Sequence, residues 1–121
     1  MKTNIEAGHA QLKARLEQAL IDAQKRISQA VLQKVRERTP TRTGRAKAAW
    51  NLSVGQPVSI VPPEGQETYE TEGVSEVSVE NPFGTVFVSN NLDYIIDLEF
   101  GSSNQAPQGM ARLTLEEIKD K

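Results

Sequence analysis

The chain of 121 residues contains no cysteine. That removes disulfide staples and thiolate chemistry, and it fits assembly in a reducing cytoplasm. Only one histidine is present, His9, and it has no partner at metal-ligand or catalytic spacing, so a solvent-facing side chain is expected there. A glycine-rich phosphate loop is missing, because Gly44-Arg45 lacks the surrounding glycines and the lysine that cradle phosphate. No segment approaches the roughly 20 apolar residues of a membrane span. The opening Met-Lys-Thr-Asn leads into a polar stretch instead of the apolar run of a secretion signal, so a soluble, unexported chain is expected. Glu64, Glu67, Glu70 and Glu72 crowd a flexible stretch that could not hold paired carboxylates in register for acid–base work. These absences point away from an enzyme and from a membrane protein, and no metal or cofactor is expected.

What is present begins with a charge polarity that the net charge of -2 conceals. Residues 1–50 carry 11 Lys or Arg against 4 Asp or Glu, giving +7, whereas residues 51–121 carry 3 against 12, giving -9. Three uses fit such opposed halves: nucleic-acid binding through the basic half, head-to-tail packing of identical subunits, or a match between halves within one chain. A chain of this length makes one domain with a modest core and gains from oligomerisation.

From Ile5 to about Arg38 the sequence reads as one long amphipathic helix. Ile5, Leu12, Leu16, Leu20, Ile27, Val31 and Val35 are spaced by 7, 4, 4, 7, 4 and 4, and Ala19, Ala23 and Ala30 fill the same stripe. No Pro or Gly interrupts it between Gly8 and Pro40. At about 1.5 Å per residue the helix is roughly 50 Å long. It overhangs a domain of this size, so its far end is expected to pack on another chain. Lys13, Arg15, Lys25, Arg26, Lys34, Arg36 and Arg38 scatter around its flanks and back, as on an ordinary solvated helix, and no helix-turn-helix or basic-zipper pattern accompanies them. Loose attraction to phosphate stays open.

Thr39-Pro40 ends this helix, since the residue before proline is pushed out of the helical region. Thr43 is placed to cap a short helix over 44–50, with Gly44 giving backbone freedom at the corner. Trp50, the only tryptophan, can plug the core at a helix-to-strand junction or anchor a subunit interface, and the burial tendency of large aromatics favours the plug. Residues 51–61 alternate as a strand, with Leu52, Val54, Val58 and Ile60 on one side and a weak point at Gly55-Gln56-Pro57. Residues 62–73 read as a mobile loop. Val74 to Glu80 and Thr85 to Ser89 read as two further strands around the turn Asn81-Pro82-Phe83-Gly84, giving three antiparallel strands whose apolar face the long helix covers.

Asp93 is placed to cap another short helix, in which Tyr94 with Leu98 and Ile96 with Phe100 share faces and Gly101 ends the helix. An extended linker over 105–109 follows. Met110, Leu113 and Ile118 then form one face of a C-terminal helix. The expected fold is α+β in a single domain over 1–121: a long N-terminal helix over 1–38, a short helix over 44–50, a small antiparallel sheet within 51–89, and short helices over 93–121.

Two signatures, TPTRTGRAKAAW from Thr39 to Trp50 and DYIIDLEFGSS from Asp93 to Ser103, carry a resemblance. In that order the chain resembles the neck or tail-completion family of long-tailed bacteriophages (minor tail component, lambda protein Z-like). The matching positions are Thr39, Pro40, Thr43, Gly44, Arg45 and Trp50, then Tyr94, Glu99, Phe100 and Gly101. The chain departs where Arg42 stands in place of a common acid, Ala46 in place of a larger apolar residue, and Ile95 in place of a small one. The resemblance implies a structural virion protein of the head-to-tail connector, with no catalysis. Copies would form a ring and meet head-closure or portal-side proteins and tail-terminator or tail-tube proteins. The chain would assemble in the bacterial host cytoplasm, meet no membrane, and touch lumen DNA non-specifically. On this reading Arg42, Arg45 and Lys47 face a neighbouring subunit or DNA, and the glutamate-rich loop orders on assembly. The alternative, from a different class, is a small nucleic-acid-binding protein that uses the basic N-terminal half.

Overall fold

The computed structural model describes residues 4–41, 44–58, 60–67, 78–101 and 109–119. In chain order the elements are α1 (Asn4–Arg38), α2 (Arg45–Ala48), β1 (Trp50–Val54), β2 (Val86–Asn90), α3 (Ile95–Glu99) and α4 (Ala111–Lys119). The fold is α+β, with α1 packed on a two-stranded antiparallel sheet and short helices around it. The strands pair with Trp50 opposite Asn90, Leu52 opposite Val88 and Val54 opposite Val86.

Helix α1 runs for 35 residues and stops where proline requires it to. Its last turn carries Arg36 and Arg38, whose charge suits the negative end of the helix dipole. Leu32 and Val35 enter the main core with Trp50, Leu52 and Met110, and Val31, Val86, Val88, Ile95 and Leu98 pack around them. A smaller cluster joins Ala46 and Ala49 to Leu92, again against Ile95 and Leu98. Both clusters therefore share the inner face of α3.

Several local expectations are corrected. The expected strand over 51–61 starts one residue earlier and stops at Val54, because Gly55 adopts a left-handed φ of 87° and turns the chain. Residues 56–58 and 60 lie back along the strand instead of extending it. Asn51 donates to the carbonyls of Ala49 (2.9 Å) and Ile60 (3.1 Å), and Ser53 donates to that of Gln56 (2.8 Å). Asn51 and Ser53 are consequently buried along with their apolar neighbours Trp50 and Leu52. Of the strand expected over 74–80, residues 74–77 lie outside the described residues and 78–80 are not in a strand. Among the described residues two strands pair, β1 with β2. The short helix over 44–50 is trimmed to Arg45–Ala48, and Trp50 opens β1. Gly44, with φ of 91°, starts it without a side-chain cap; Thr43, the expected cap, lies outside the described residues. Asp93 does not cap α3 either. The Asn90 side chain organises that turn by accepting from Leu92 N (3.0 Å), and Ile95 N donates to Leu92 O (3.2 Å). In α4 the buried line is Met110 and Thr114, with Leu113 and Ile118 half-buried beside it. Of the expected linker, residues 105–108 lie outside the described residues.

Candidate functional site: motif scaffold and uncovered face of the long helix

The first signature folds into a joint between α1 and the sheet. Thr39 is buried, its hydroxyl donates to Val35 O, and it accepts the indole N–H of Trp50 at 2.8 Å. Trp50 thus takes the core-plug role, with its one polar atom satisfied inside. Arg36 donates to Trp50 O at 3.0 Å, and burial lowers the pKa of its guanidinium. The departures from the family pattern at Ala46 and Ile95 meet in one cluster, where a small residue on α2 faces a large one on α3.

The second signature docks α4. The Glu99 carboxylate accepts from the backbone N–H groups of Met110, Ala111 and Arg112, each at 2.9 Å, which are orphan donors at the start of a helix. Arg112 adds its Nε at 3.2 Å and donates a second hydrogen bond to Glu99 O, while its guanidinium lies 4.7 Å from the centre of the Phe100 ring. Burial pushes the Glu99 carboxyl up, but those donors outweigh it and hold the group below its ordinary value. Gly101 closes α3 with φ of 88°. Gly109 is equally constrained: with φ of 85°, a Cβ there would sit 2.5 Å from Glu99 O. At its far end α4 is tied to α1, since Glu117 accepts from Lys34 (2.8 Å) and Arg38, and Arg38 donates to Thr114 Oγ1 (2.8 Å). The Lys34 hydrogen bond, opposed by partial desolvation and reinforced by Arg38, holds Glu117 below its ordinary value.

The three basic positions expected at an interface have separate fates. Arg42 lies outside the described residues. Arg45 is largely covered, donating to Pro62 O at 3.1 Å and pairing with Glu64 at 3.5 Å. It holds the start of the glutamate-rich loop at Pro62 and Glu64; residues 68–73 lie outside the described residues. Lys47 is half-buried on α2. Part of the opposed charge of the two halves is therefore matched within the chain, through Lys34, Arg38 and Arg45. His9 is exposed on α1, and among the described residues His, Asp and Glu form no group of three able to hold a metal. No helix among the described residues is long and apolar enough to cross a membrane.

The apolar stripe expected along α1 divides along its length, and only its last two members, Val31 and Val35, reach the core. No described residue before Ser28 is buried, and Ile5, Leu12, Leu16, Leu20 and Ile27 are exposed. The covered face is instead that of Ser28, Leu32 and Val35, rotated roughly 120° from the exposed one at about 100° per residue. Leu32, absent from the 7-4-4 stripe, is among the largest fully buried side chains. Both faces are legible as apolar positions, but only the sheet decides which one it covers.

Two hollows open on the exposed face. One, of about 590 Å³, lies between Leu20, Ile27 and Val31 of α1, Val86 and Val88 of β2, and Leu115 of α4. The other, of about 520 Å³, lies between Leu12, Leu16 and Leu20 of α1 and the turn residue Phe83. Gln24 fixes that turn by donating to Pro82 O (2.8 Å) and Gly84 O (3.2 Å). Leu20 lines both hollows, so the apolar surface is continuous along α1. No family model, curated protein or solved structure matches this chain.

Proposed function

We propose that the protein is a non-enzymatic structural component of a long-tailed phage virion, placed in the neck where it completes the tail or joins it to the DNA-filled head. The observation that carries this reading is the uncovered apolar face of α1, which a chain that acts alone has no physical reason to keep. A subunit of an assembly does. The two signatures support the reading in a second way, because their residues work as a scaffold: Thr39 and Trp50 set the exit of α1, while Glu99, Phe100 and Gly101 seat α4.

In this role several copies close a ring through heterologous contacts, the contact type that generates rings beyond a dimer. The ring meets head-closure or portal-side proteins on one side and tail-terminator or tail-tube proteins on the other. Lys47, with Arg42, supplies basic charge to a subunit or lumen surface, whereas Arg45 contributes by holding residues 62–64. The test is deletion of the gene from its source phage or prophage, followed by negative-stain electron microscopy of the induced lysate. Full heads beside separate or defective tails are expected. Intact infectious particles would discard the neck role and leave binding of nucleic acid by the basic half, checked by the salt dependence of duplex binding.

A further inference from the structure

A further hollow, of about 500 Å³, opens on α3 and is lined by Tyr94, Asp97, Leu98, Phe100 and Gly101. Leu98, which packs on both core clusters, is its floor. The other walls are two aromatic rings and a carboxylate, with no lysine or arginine among them. Phe100 is 69% exposed and Tyr94 37%. Asp97 is exposed, as is Asp93 one turn before it, and among the described residues neither makes an ion pair. Phe100 already takes a cation, since the Arg112 guanidinium lies 4.7 Å from its centre. Arg112 does not line the hollow, so the ring is open there to a second one.

We infer that the hollow on α3 holds an arginine side chain of a second copy, supplied by Arg15 or Arg26 of its α1. This rests on the assembly reading above and names the chemistry of a contact between copies. The faces of aromatic rings are electrically negative and a carboxylate adds a full charge, so the walls suit a cation. A planar guanidinium stacks on a ring while it donates to a carboxylate, which a strongly hydrated ammonium does less well. The same chain leaves the matching charge unused. Lys34, Arg38, Arg45 and Arg112 are spent on Glu117, Glu64 and Glu99 within one copy. Arg15 and Arg26 are exposed on α1 and make no ion pair among the described residues, so they do not meet Asp97 inside their own chain. Because α1 donates and α3 accepts, the contact is heterologous and repeats from copy to copy, as a ring requires.

Charge reversal on each side tests the pairing in the full chain. One variant carries Asp97→Lys and the other carries Arg15→Glu with Arg26→Glu; all three positions are exposed, so both variants should keep the wild-type circular dichroism. Self-association followed by sedimentation at low salt should weaken about tenfold or more in each variant alone. It should return when the two are mixed, because each then offers the other the opposite charge. Unchanged association in either variant, or a mixture that associates no better than its components, would overturn the inference. A wild type that stays monomeric at every concentration would overturn it too, and would direct the search to a basic surface on another protein. Tyr94→Leu keeps apolar bulk but removes the ring, and a severalfold weakening is expected; association equal to wild type would overturn the aromatic cradle. Rescue in the mixture combined with intact particles from the gene deletion would keep this contact and discard the neck role. Loss of head–tail joining with association indifferent to these charges would keep the role and discard the contact.

Discussion

The two halves of α1 share a backbone geometry, a supply of good helix formers and a set of large aliphatic side chains, yet among the described residues only one of them is buried in the core. From Ser28 to Arg38 the helix is gripped on several sides: Leu32 and Val35 sit in the core, Arg36 reaches Trp50 O, and Lys34 and Arg38 hold α4 through Glu117. From Asn4 to Ile27 no described residue is buried, and the Gln24 clasp on the 82–84 turn and the flank of Phe83 are what the sheet side offers it. Helices of about a dozen residues are marginal in water without tertiary packing. The difference teaches that a stripe of leucines specifies a need for cover, and that the identity of the cover comes from elsewhere in the fold or from another molecule.

The largest expected effects separate the halves directly. Trp50→Ala should cost about 3–5 kcal/mol in chemical unfolding, because it empties the joint and leaves Thr39 Oγ1 without its donor. Leu12→Ala, measured where the chain is monomeric, should stay within about 0.5 kcal/mol of wild type. Equal losses at the two positions would mean that the exposed half of α1 is covered within the monomer, and the comparison would fail.

Next comes the seat of α4, whose geometry leaves no room for a methyl group. Gly109→Ala should cost about 2–3 kcal/mol, combining a left-handed backbone with a Cβ that meets the Glu99 carbonyl and carboxylate at 2.5 and 2.6 Å. Gly55→Ala shares the left-handed backbone, with φ of 87°, but its Cβ would meet nothing within 4 Å. The smaller loss expected at Gly55 isolates the steric part. A matching loss at both glycines would show that strain alone sets the cost.

How much of this was readable in the chain follows from how local each signal is. The extent of α1, its stop at Thr39-Pro40, the burial of Trp50 and the closing role of Gly101 rest on periodicity, proline and glycine, all short-range, and all appear in the fold. The first strand ends at Val54 short of the expected residue 61, because alternation at Val58 and Ile60 looks the same whether a chain extends a sheet or folds back beside it. Of the stripe read along α1, Val31 and Val35 reach the core, whereas Leu32, outside the 7-4-4 spacing, is buried because the sheet covers the face it shares with Ser28 and Val35. Glu99 stood out only through the family resemblance. Its work as a cap for a helix that begins at Ala111 depends on a contact between residues 12 apart, which no helical spacing announces.

A smaller effect than Gly109→Ala, and one that depends on pH, is expected at Glu99. Glu99→Gln keeps the shape but weakens the charge-assisted cap, for an expected loss of about 1–2 kcal/mol at neutral pH. Since the folded carboxyl titrates below its ordinary value, the wild type gains stability from ionised Glu99 at pH values above the usual carboxylate pKa near 4.3, and loses it as pH falls through the lowered value. The gap between wild type and Glu99→Gln should therefore be widest at neutral pH and close in acid. A gap that is independent of pH would assign the loss to shape instead of charge.

The smallest effect sharpens the comparison at its far end. Gly8 lies in the exposed half of α1, and a Cβ there would meet nothing within 4 Å. Alanine favours a helix by about 0.8–1.0 kcal/mol over glycine at an interior position, so Gly8→Ala should raise helicity near the N-terminus. That gain is local. If residues 4–27 open independently of the core, it adds nothing to the cooperative transition, and the unfolding midpoint measured where the chain is monomeric should not move. Faster amide exchange is expected across the first turns of α1 than across Leu32 to Arg36, with Gly8→Ala slowing only the former. A midpoint raised by the full propensity difference would instead couple those turns to the core. The N-terminal half of α1 would then be a pre-organised part of the folded monomer, presented to the next copy without any cost of ordering on assembly.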